Sequence, residues 1–214
     1  MASKPVLYSY FRSSASWRVR IALAIKGVEY DYKPVHLVKD GGEQNKDDYK
    51  AKNPMGQVPT LVIDGVTLIQ SLPIIEYLEE TKPGPSVLPK DPIKRAQARA
   101  LAEVINSGIQ PLQNLKTLAA FGDKKMEWGK TIIANGFDAF EKMLATTAGT
   151  YCVGDEVTIA DLCLIPQCHN AERFAVDMSK YPTIVRIKEA LEKLPAFVAA
   201  DLKNQPDTPD DMRA

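Results

Sequence analysis

Hydroxyl and guanidinium side chains stand where a predicted strand meets a predicted helix near the start of the chain. Ser13 and Ser14 precede an apolar run, and Arg18 follows them within two turns of helix. A helix start offers unpaired N–H groups and a positive dipole end, so an anion is favoured there. A serine hydroxyl and a nearby guanidinium could lower the pKa of a free thiol from ~8.5 toward neutrality. Serines that only cap the helix fit the same residues.

Two further places combine a special backbone position with polar side chains. Pro59 begins a predicted strand, where a cis Val58-Pro59 bond would leave the Val58 backbone to pair with an extended peptide. An ordinary turn proline fits this position as well. Gln70 and Ser71 lie at a second junction of strand and helix, where they could hold a carboxylate or simply cap the helix.

The elements that would position these residues alternate between strand and helix in the first part of the chain. The predicted strands are 6–10, 28–35, 58–63 and 66–70. The predicted helices are 17–25, with N-cap candidates at 14–16, then 45–51, and a helix that Ser71 could cap, with Pro73 in its first turn. The first strand–helix–strand unit implies parallel strands, and Asp64-Gly65 predicts a tight hairpin between the last two strands.

The stretch Lys82-Pro83-Gly84-Pro85 is the clearest linker, since two prolines and a glycine break helix and strand alike. We therefore expect a domain of residues 1–83 and a domain of residues 88–214. The second domain is predicted to be all helix, because its apolar residues step by three and four.

Three details of the helical half can be predicted. The longest apolar stripe covers 101–115, and Pro111 within it predicts a kink. Thr158 and Asp161 have the spacing of a capping box at a helix start. The stretch 205–214 is rich in proline and aspartate, and we expect it to lie extended on the surface.

The composition excludes several classes of protein. Lys and Arg together number 27, as do Asp and Glu, so no nucleic-acid partner is expected. No apolar run approaches ~18 residues, and no signal peptide is visible, so we expect a cytoplasmic protein without a membrane contact. An odd number of cysteines without a CxxC pair, and two distant histidines, predict neither a disulfide framework nor a metal site. These residues are Cys152, Cys163, Cys168, His36 and His169.

The first junction resembles a known signature. Residues 13–23, SSASWRVRIAL, are similar to the motif of the zeta-class glutathione transferases, and the similarity covers nearly the whole chain. The other matching stretches are NPMGQVPTLVIDG, QSLPIIEYLEET, GIQPLQNL, YCVGDEVTIADLCL, NAERF and QPDTP. The resemblance implies the glutathione transferase fold, with an α/β thioredoxin-like N-terminal domain and an all-α C-terminal helical domain. It also implies a homodimer.

The resemblance assigns glutathione as the cofactor and gives roles to individual residues. Ser13 would activate the thiol of glutathione, with Ser14 and Arg18 supporting the thiolate as further catalytic residues. The backbone of Val58 would pair with the cysteinyl part of glutathione. The remaining residues that the resemblance places at the glutathione site are Ala15, Ser16, Trp17, Gln44, Pro59, Gln70, Ser71, Gln110 and Asn114.

The best-known members of this family are maleylacetoacetate isomerases. The implied reaction adds the bound thiolate to the cis double bond of maleylacetoacetate, lets the new single bond rotate and releases glutathione. The product is the trans isomer, fumarylacetoacetate, in tyrosine and phenylalanine breakdown. Arg173, in NAERF, would hold the carboxylate of this small anionic substrate, and Arg12 is a second candidate. The family also degrades α-haloacids, which implies a side activity.

Ala15 departs from the family pattern, which usually has cysteine at this position. Alanine cannot form a mixed disulfide or supply a second thiolate, whereas Ser13 can still activate the thiol. The departure keeps open a general glutathione transferase with weak isomerase activity. A non-catalytic scaffold is a further alternative, but a scaffold needs neither Ser13 nor Arg18.

Overall fold

The computed structural model describes residues 3–213 and divides them into two compact units. The first unit comprises the chain up to Pro85 together with the segment from Pro195, and the second runs from Ser86 to Leu194. The prediction differs in one respect, since it placed the segment from Pro195 in the helical domain. No helix among the described residues is long and apolar enough to cross a membrane.

Four short strands and nine α-helices make up the described chain. The strands are β1 (Val6–Ser9), β2 (Asp31–Pro34), β3 (Thr60–Ile63) and β4 (Val66–Ile69). The helices are α1 (Ser14–Ile25), α2 (Asp47–Lys50), α3 (Ser71–Thr81), α4 (Pro92–Asn106), α5 (Leu115–Ala120), α6 (Lys125–Thr147), α7 (Ile159–Arg173), α8 (Pro182–Leu191) and α9 (Pro195–Ala200). The first unit thus combines all four strands with helices, and the second unit is helical, which confirms the predicted fold class.

The sheet of the first unit has the order β2-β1-β3-β4. Strand β1 runs parallel to β2 and antiparallel to β3, and β4 is antiparallel to β3, as the β-α-β and hairpin signals predict. In the hairpin, Asp64 and Gly65 both have positive φ, which a tight primed turn requires. Strand β2 starts three residues later than predicted, because the N–H of Val28 still bonds to the carbonyl of Leu23 and closes α1.

The strand register brings the predicted junctions to one end of the sheet. Thr60, the first residue of β3, pairs with Tyr8 near the end of β1 and with Ile69 at the end of β4. The turns before α1, β3 and α3 therefore all lie at the same end of the sheet. The polar residues of the three junctions meet at this end.

The C-terminal segment is not an extended surface tail. Gln205 is buried, and its side-chain amide donates to the carbonyls of Ala199 and Asp201. Thr208 is also buried, and its hydroxyl donates to the carbonyl of Leu202. The expectation of an extended stretch was wrong, because these side chains bond to carbonyls at and just after the end of α9. Its surface location is confirmed in part, since Pro209, Asp210 and Asp211 are exposed.

The predicted kink at Pro111 does not occur, because α4 has already ended at Asn106. The carbonyl of Glu103 accepts from the N–H of Ser107, the N–H of Gly108 and the hydroxyl of Ser107, and these bonds close the helix. Pro111 lies instead in a short 3₁₀ turn.

The predicted capping box at the start of α7 is present. The buried Asp161 carboxylate accepts from the N–H and the hydroxyl of Thr158, which precedes the helix. It also accepts from the N–H of Cys152. These three donors partly offset the burial that raises the pKa of Asp161.

Candidate active site

Ser13 occupies the N-cap of α1, at the end of the sheet where the three junctions meet. Its N–H donates to the carbonyl of Tyr10 at 2.9 Å, and its Oγ accepts from the N–H of Ser16 at 3.2 Å. The Ser13 side chain is partly exposed, whereas Ser14 and Ser16 are buried. Because the oxygen of Ser13 already accepts from the helix, its proton is left to donate to a ligand.

The first turn of α1 supplies two further donors. The N–H of Ser16 bonds to the side chain of Ser13, and the N–H of Trp17 bonds to its carbonyl. Among residues 3–213, the N–H groups of Ser14 and Ala15 take no part in such a bond, as expected at a helix start. The structure therefore presents one hydroxyl and two N–H groups to a ligand, while the side chains of Ser16 and Trp17 face the interior.

Arg18 connects this helix to the second junction. Its side chain is 1% exposed, and Nη1 donates to the Oγ of Ser71 at 3.1 Å. Ser71 is the first residue of α3 and is itself buried. The guanidinium thus contacts a residue that the resemblance places at the glutathione site. Support of the thiolate by Arg18 stays a prediction.

Gln70 adopts an unusual backbone conformation immediately before α3. Its φ is 72° and its ψ is 129°, in a region that residues other than glycine rarely visit. Its side chain is exposed at the same end of the sheet. Such conformations concentrate where the surrounding structure holds a residue for a ligand.

The Val58-Pro59 peptide bond is cis, as the resemblance implies. Tyr49 and Asn53 hold the turn in front of it: their side chains donate to the carbonyl of Gln57, at 2.6 Å and 2.7 Å. Within the described chain, the Val58 backbone makes no hydrogen bond to another backbone group. It is free to pair with an extended peptide, which makes the binding interpretation preferable to an ordinary turn.

Gln44 lies in a tightly packed loop of the first unit. Its Nε2 donates to the carbonyl of Leu37 at 3.1 Å, and its buried Oε1 has no hydrogen-bond partner among the described residues. A side chain at Gly56, which has positive φ, would meet the carbonyl oxygen of Gln44 at 2.9 Å. The backbone of Gln44 therefore lies beside the turn that leads to Val58, and its side chain carries an unused acceptor.

Arg12 lies at the first junction, in the turn between β1 and α1, and its guanidinium carbon is 6.0 Å from the ring centroid of Phe11. Three other predicted site residues lie away from the junctions. Gln110, Asn114 and Arg173 belong to the second unit. Asn114 caps α5 by accepting from the N–H of Lys116, and Arg173 is an exposed residue at the end of α7.

Family models and solved structures place the chain among known proteins. Residues 7–86 match the N-terminal domain of glutathione S-transferases, and residues 113–199 match their C-terminal domain. Maleylacetoacetate isomerase from Rattus norvegicus is 58% identical over 99% of both chains. A bacterial zeta-class glutathione S-transferase, a maleylpyruvate isomerase in its holo form, is 43% identical with a TM-score of 0.91 over 95% of this chain and 100% of that chain.

The chain belongs to the zeta-class glutathione transferases. Among similar structures of this family, maleylacetoacetate isomerase from Anaeromyxobacter dehalogenans holds glutathione in its active site. It is 45% identical, with a TM-score of 0.88 over 98% of this chain and 100% of that chain. The two units of this chain thus correspond to the two domains of the glutathione transferase fold.

Residue patterns alone missed the side chains that support the site. Tyr49 and Asn53 hold the turn before the cis bond, and the Asn53-Pro54 turn signal was the only indication of their place. Arg20 and Asp207 hold the turn before Ser13. The sequence did carry one signal for Arg20, since a charged residue inside the apolar run of α1 indicates a buried group with specific partners.

Proposed function

We propose that the protein catalyses glutathione-dependent cis–trans isomerisation of maleylacetoacetate to fumarylacetoacetate. The observation that carries the proposal is the Ser13 hydroxyl, whose oxygen accepts from the N–H of Ser16 and whose proton is therefore available to donate to a ligand. The names of the relatives support the same reaction.

The residues of the first unit fit glutathione. The buried, unpartnered Oε1 of Gln44 suits an N–H donor of the peptide, and the open Val58 backbone suits its extended main chain. The hydroxyl of Ser71 and the N–H groups at the start of α3 suit the γ-glutamyl carboxylate. Ser13 then lies where a donor would meet the thiol.

When bound, glutathione supplies a sulfur nucleophile that adds reversibly to the double bond and leaves unchanged after rotation. The chain's own residues make this possible. Ser13 donates a hydrogen bond that favours the thiolate, and the N–H groups of Ser14 and Ala15 add positive potential. Arg18 fixes Ser71, and through Ser71 the cofactor's far end. Arg12 and Arg173 are our candidates for binding the carboxylates of the substrate. Gln110 and Asn114 are candidates for binding glutathione, as the resemblance implies.

Turnover of maleylacetoacetate, or of its stable analogue maleylacetone, tests the proposal. We expect conversion to the trans isomer only when glutathione is present, without net consumption of glutathione. Ser13→Ala should lose most of this activity. Conversion that proceeds equally without glutathione, or equally in Ser13→Ala, would contradict the mechanism.

A second activity follows from the same thiolate. At an α-haloacid the sulfur would form a bond to the α-carbon while the carbon–halogen bond breaks and halide leaves. Ala15 favours this possibility, since the partly exposed position beside Ser13 carries no competing thiol. Release of chloride from dichloroacetate with glutathione measures it, and no release above the rate without enzyme would refute it.

We also propose a cytoplasmic homodimer. Three buried cysteines are free thiols, which suits a reducing compartment. Each unit exposes large apolar side chains, such as Met55 and Val66 in the first and Ile93 in the second, which suits a subunit interface. Light scattering coupled to size exclusion should give twice the mass of one chain, and a single-chain mass at micromolar concentration would refute the dimer.

A further inference from the structure

The turn that leads into Ser13 is held by side chains from outside the turn. The Phe11 N–H donates to Oδ2 of Asp207 at 3.0 Å. Arg20 donates from Nη1 to the carbonyl of Tyr10 at 3.3 Å and from Nη2 to the carbonyl of Phe11 at 3.0 Å. Three backbone groups immediately before Ser13 are therefore fixed by only two side chains.

Both of these side chains are themselves locked in place. Arg20 is 1% exposed, and it also donates to the Oγ of Ser9 and, from Nε, to the carbonyl of Ala200. Asp207 accepts a second hydrogen bond on Oδ1, from the phenol of Tyr32 at 2.6 Å. Burial raises the pKa of that phenol, so it stays a donor throughout the physiological range.

The segment that carries Asp207 is rigid enough to act as a support. Its neighbours Gln205 and Thr208 are buried and bond to the carbonyls that follow α9. Asp207 is thus the one member of this segment whose carboxylate reaches the β1–α1 turn by a hydrogen bond in the described chain. A solvated surface carboxylate would have no such pair of fixed donors.

We propose that Asp207, together with Arg20, is a positioning residue that aims the Ser13 hydroxyl at the thiol of glutathione. This inference rests on the proposed role of Ser13 as the donor to the thiolate. Without Asp207 the Phe11 N–H loses its acceptor, and the turn two residues before Ser13 gains freedom. Gln70, Ser71 and Val58 do not depend on this contact, so glutathione itself should still bind.

The test measures the pKa of bound glutathione from the ultraviolet absorbance of its thiolate, per molecule of glutathione bound. In Asp207→Ala, which leaves no acceptor for the Phe11 N–H, we expect this pKa to rise by about one unit, which lowers the thiolate fraction about tenfold at a pH well below it. The kcat should fall in proportion, with little change in the KM for glutathione. Tyr32→Phe, which leaves the Phe11 contact intact, should shift the thiol pKa in the same direction by less.

Asp210→Ala is the matched control, because Asp210 lies on the same segment with a fully exposed side chain. It should leave thiol pKa, kcat and KM unchanged. If Asp207→Ala does not fold, Tyr32→Phe carries the test alone. Thiol pKa values equal to wild type in the folded variants would overturn the inference, as would a loss of activity explained by weaker glutathione binding.

The two proposals fail in different ways. A wild-type enzyme that binds glutathione without lowering its thiol pKa would contradict the role of Ser13 and this inference with it. A lowered thiol pKa in wild type that persists in the folded Asp207→Ala and Tyr32→Phe variants would overturn the positioning role alone. Neither measurement needs the isomerase substrate.

Discussion

Replacing Ser13 by alanine removes two interactions that can be measured separately. One is the hydrogen bond that its Oγ accepts from the Ser16 N–H at 3.2 Å, which caps α1. The other is the bond that its proton would donate to the glutathione thiolate. The first affects the stability of the folded chain, and the second affects the pKa of a bound ligand.

The size of each effect follows from the geometry. Loss of a serine N-cap costs about 1 kcal/mol, which lowers the Tm of a chain of this length by about 2–4 °C. A hydrogen bond to an ionised group contributes ~1.5–3 kcal/mol, and Ser13 is only partly buried, so the lower end applies. At ~1.4 kcal/mol per unit, the pKa of the bound thiol should rise by about one unit.

Asp91→Ala separates the two effects. Asp91 caps α4 by accepting from the N–H of Lys94 at 2.8 Å, in the other unit. The Asp91→Ala variant should show a fall in Tm similar to that of Ser13→Ala, with no change in the thiol pKa. Thermal unfolding and thiolate absorbance against pH measure the two quantities. An unchanged thiol pKa in folded, glutathione-bound Ser13→Ala would refute the assignment of Ser13 as the donor.

Three further outcomes are expected. Lys26→Met should cost about 3 kcal/mol in urea unfolding, because it breaks a 2.7 Å ion pair with Glu79 whose side chains are 3% and 13% exposed. Adding Glu79→Leu should recover most of the loss, and a cost near zero would refute this. Arg18→Lys should weaken glutathione binding about tenfold by disturbing Ser71, with the thiol pKa unchanged. A raised thiol pKa with unchanged glutathione binding would instead make Arg18 catalytic. Backbone and side-chain hydrogen bonds lower the pKa of Asp155, so its contribution to stability is present above its unfolded pKa and is lost as pH falls through the native pKa. The difference in unfolding free energy between wild type and Asp155→Asn should therefore shrink from about pH 6 to about pH 3, and a constant difference would contradict the cause given.

The order of elements around the site was predictable because each depends on a local signal. The Asp64-Gly65 turn, the helix start at Ser71 and the capping box at Thr158 all involve neighbours in sequence. The end of α4 was not predictable in the same way. Its closing bonds to Glu103 compete with an apolar stripe that runs on past Gly108, and the stripe alone suggests one longer helix.

The site could be predicted only where the motif itself forms it. Ser13 and Ser71 stand at the junctions that the patterns indicate. The contact between Arg18 and Ser71 joins residues 53 positions apart, and the contact between Phe11 and Asp207 joins residues 196 positions apart. No periodicity or spacing reports such pairs, because they arise only when the sheet and its helices have packed.

The contribution of distant residues to the first unit has a consequence for synthesis. The β1–α1 turn leaves the ribosome early, but Asp207 cannot reach it until the whole intervening unit from Ser86 to Leu194 has been made. Asp207 follows Ser13 by 194 residues, so at ~5–20 residues per second the interval is roughly 10 to 40 seconds. A nascent chain would therefore carry Ser13 for that time without its support, so the competence to activate glutathione would arise only late in translation.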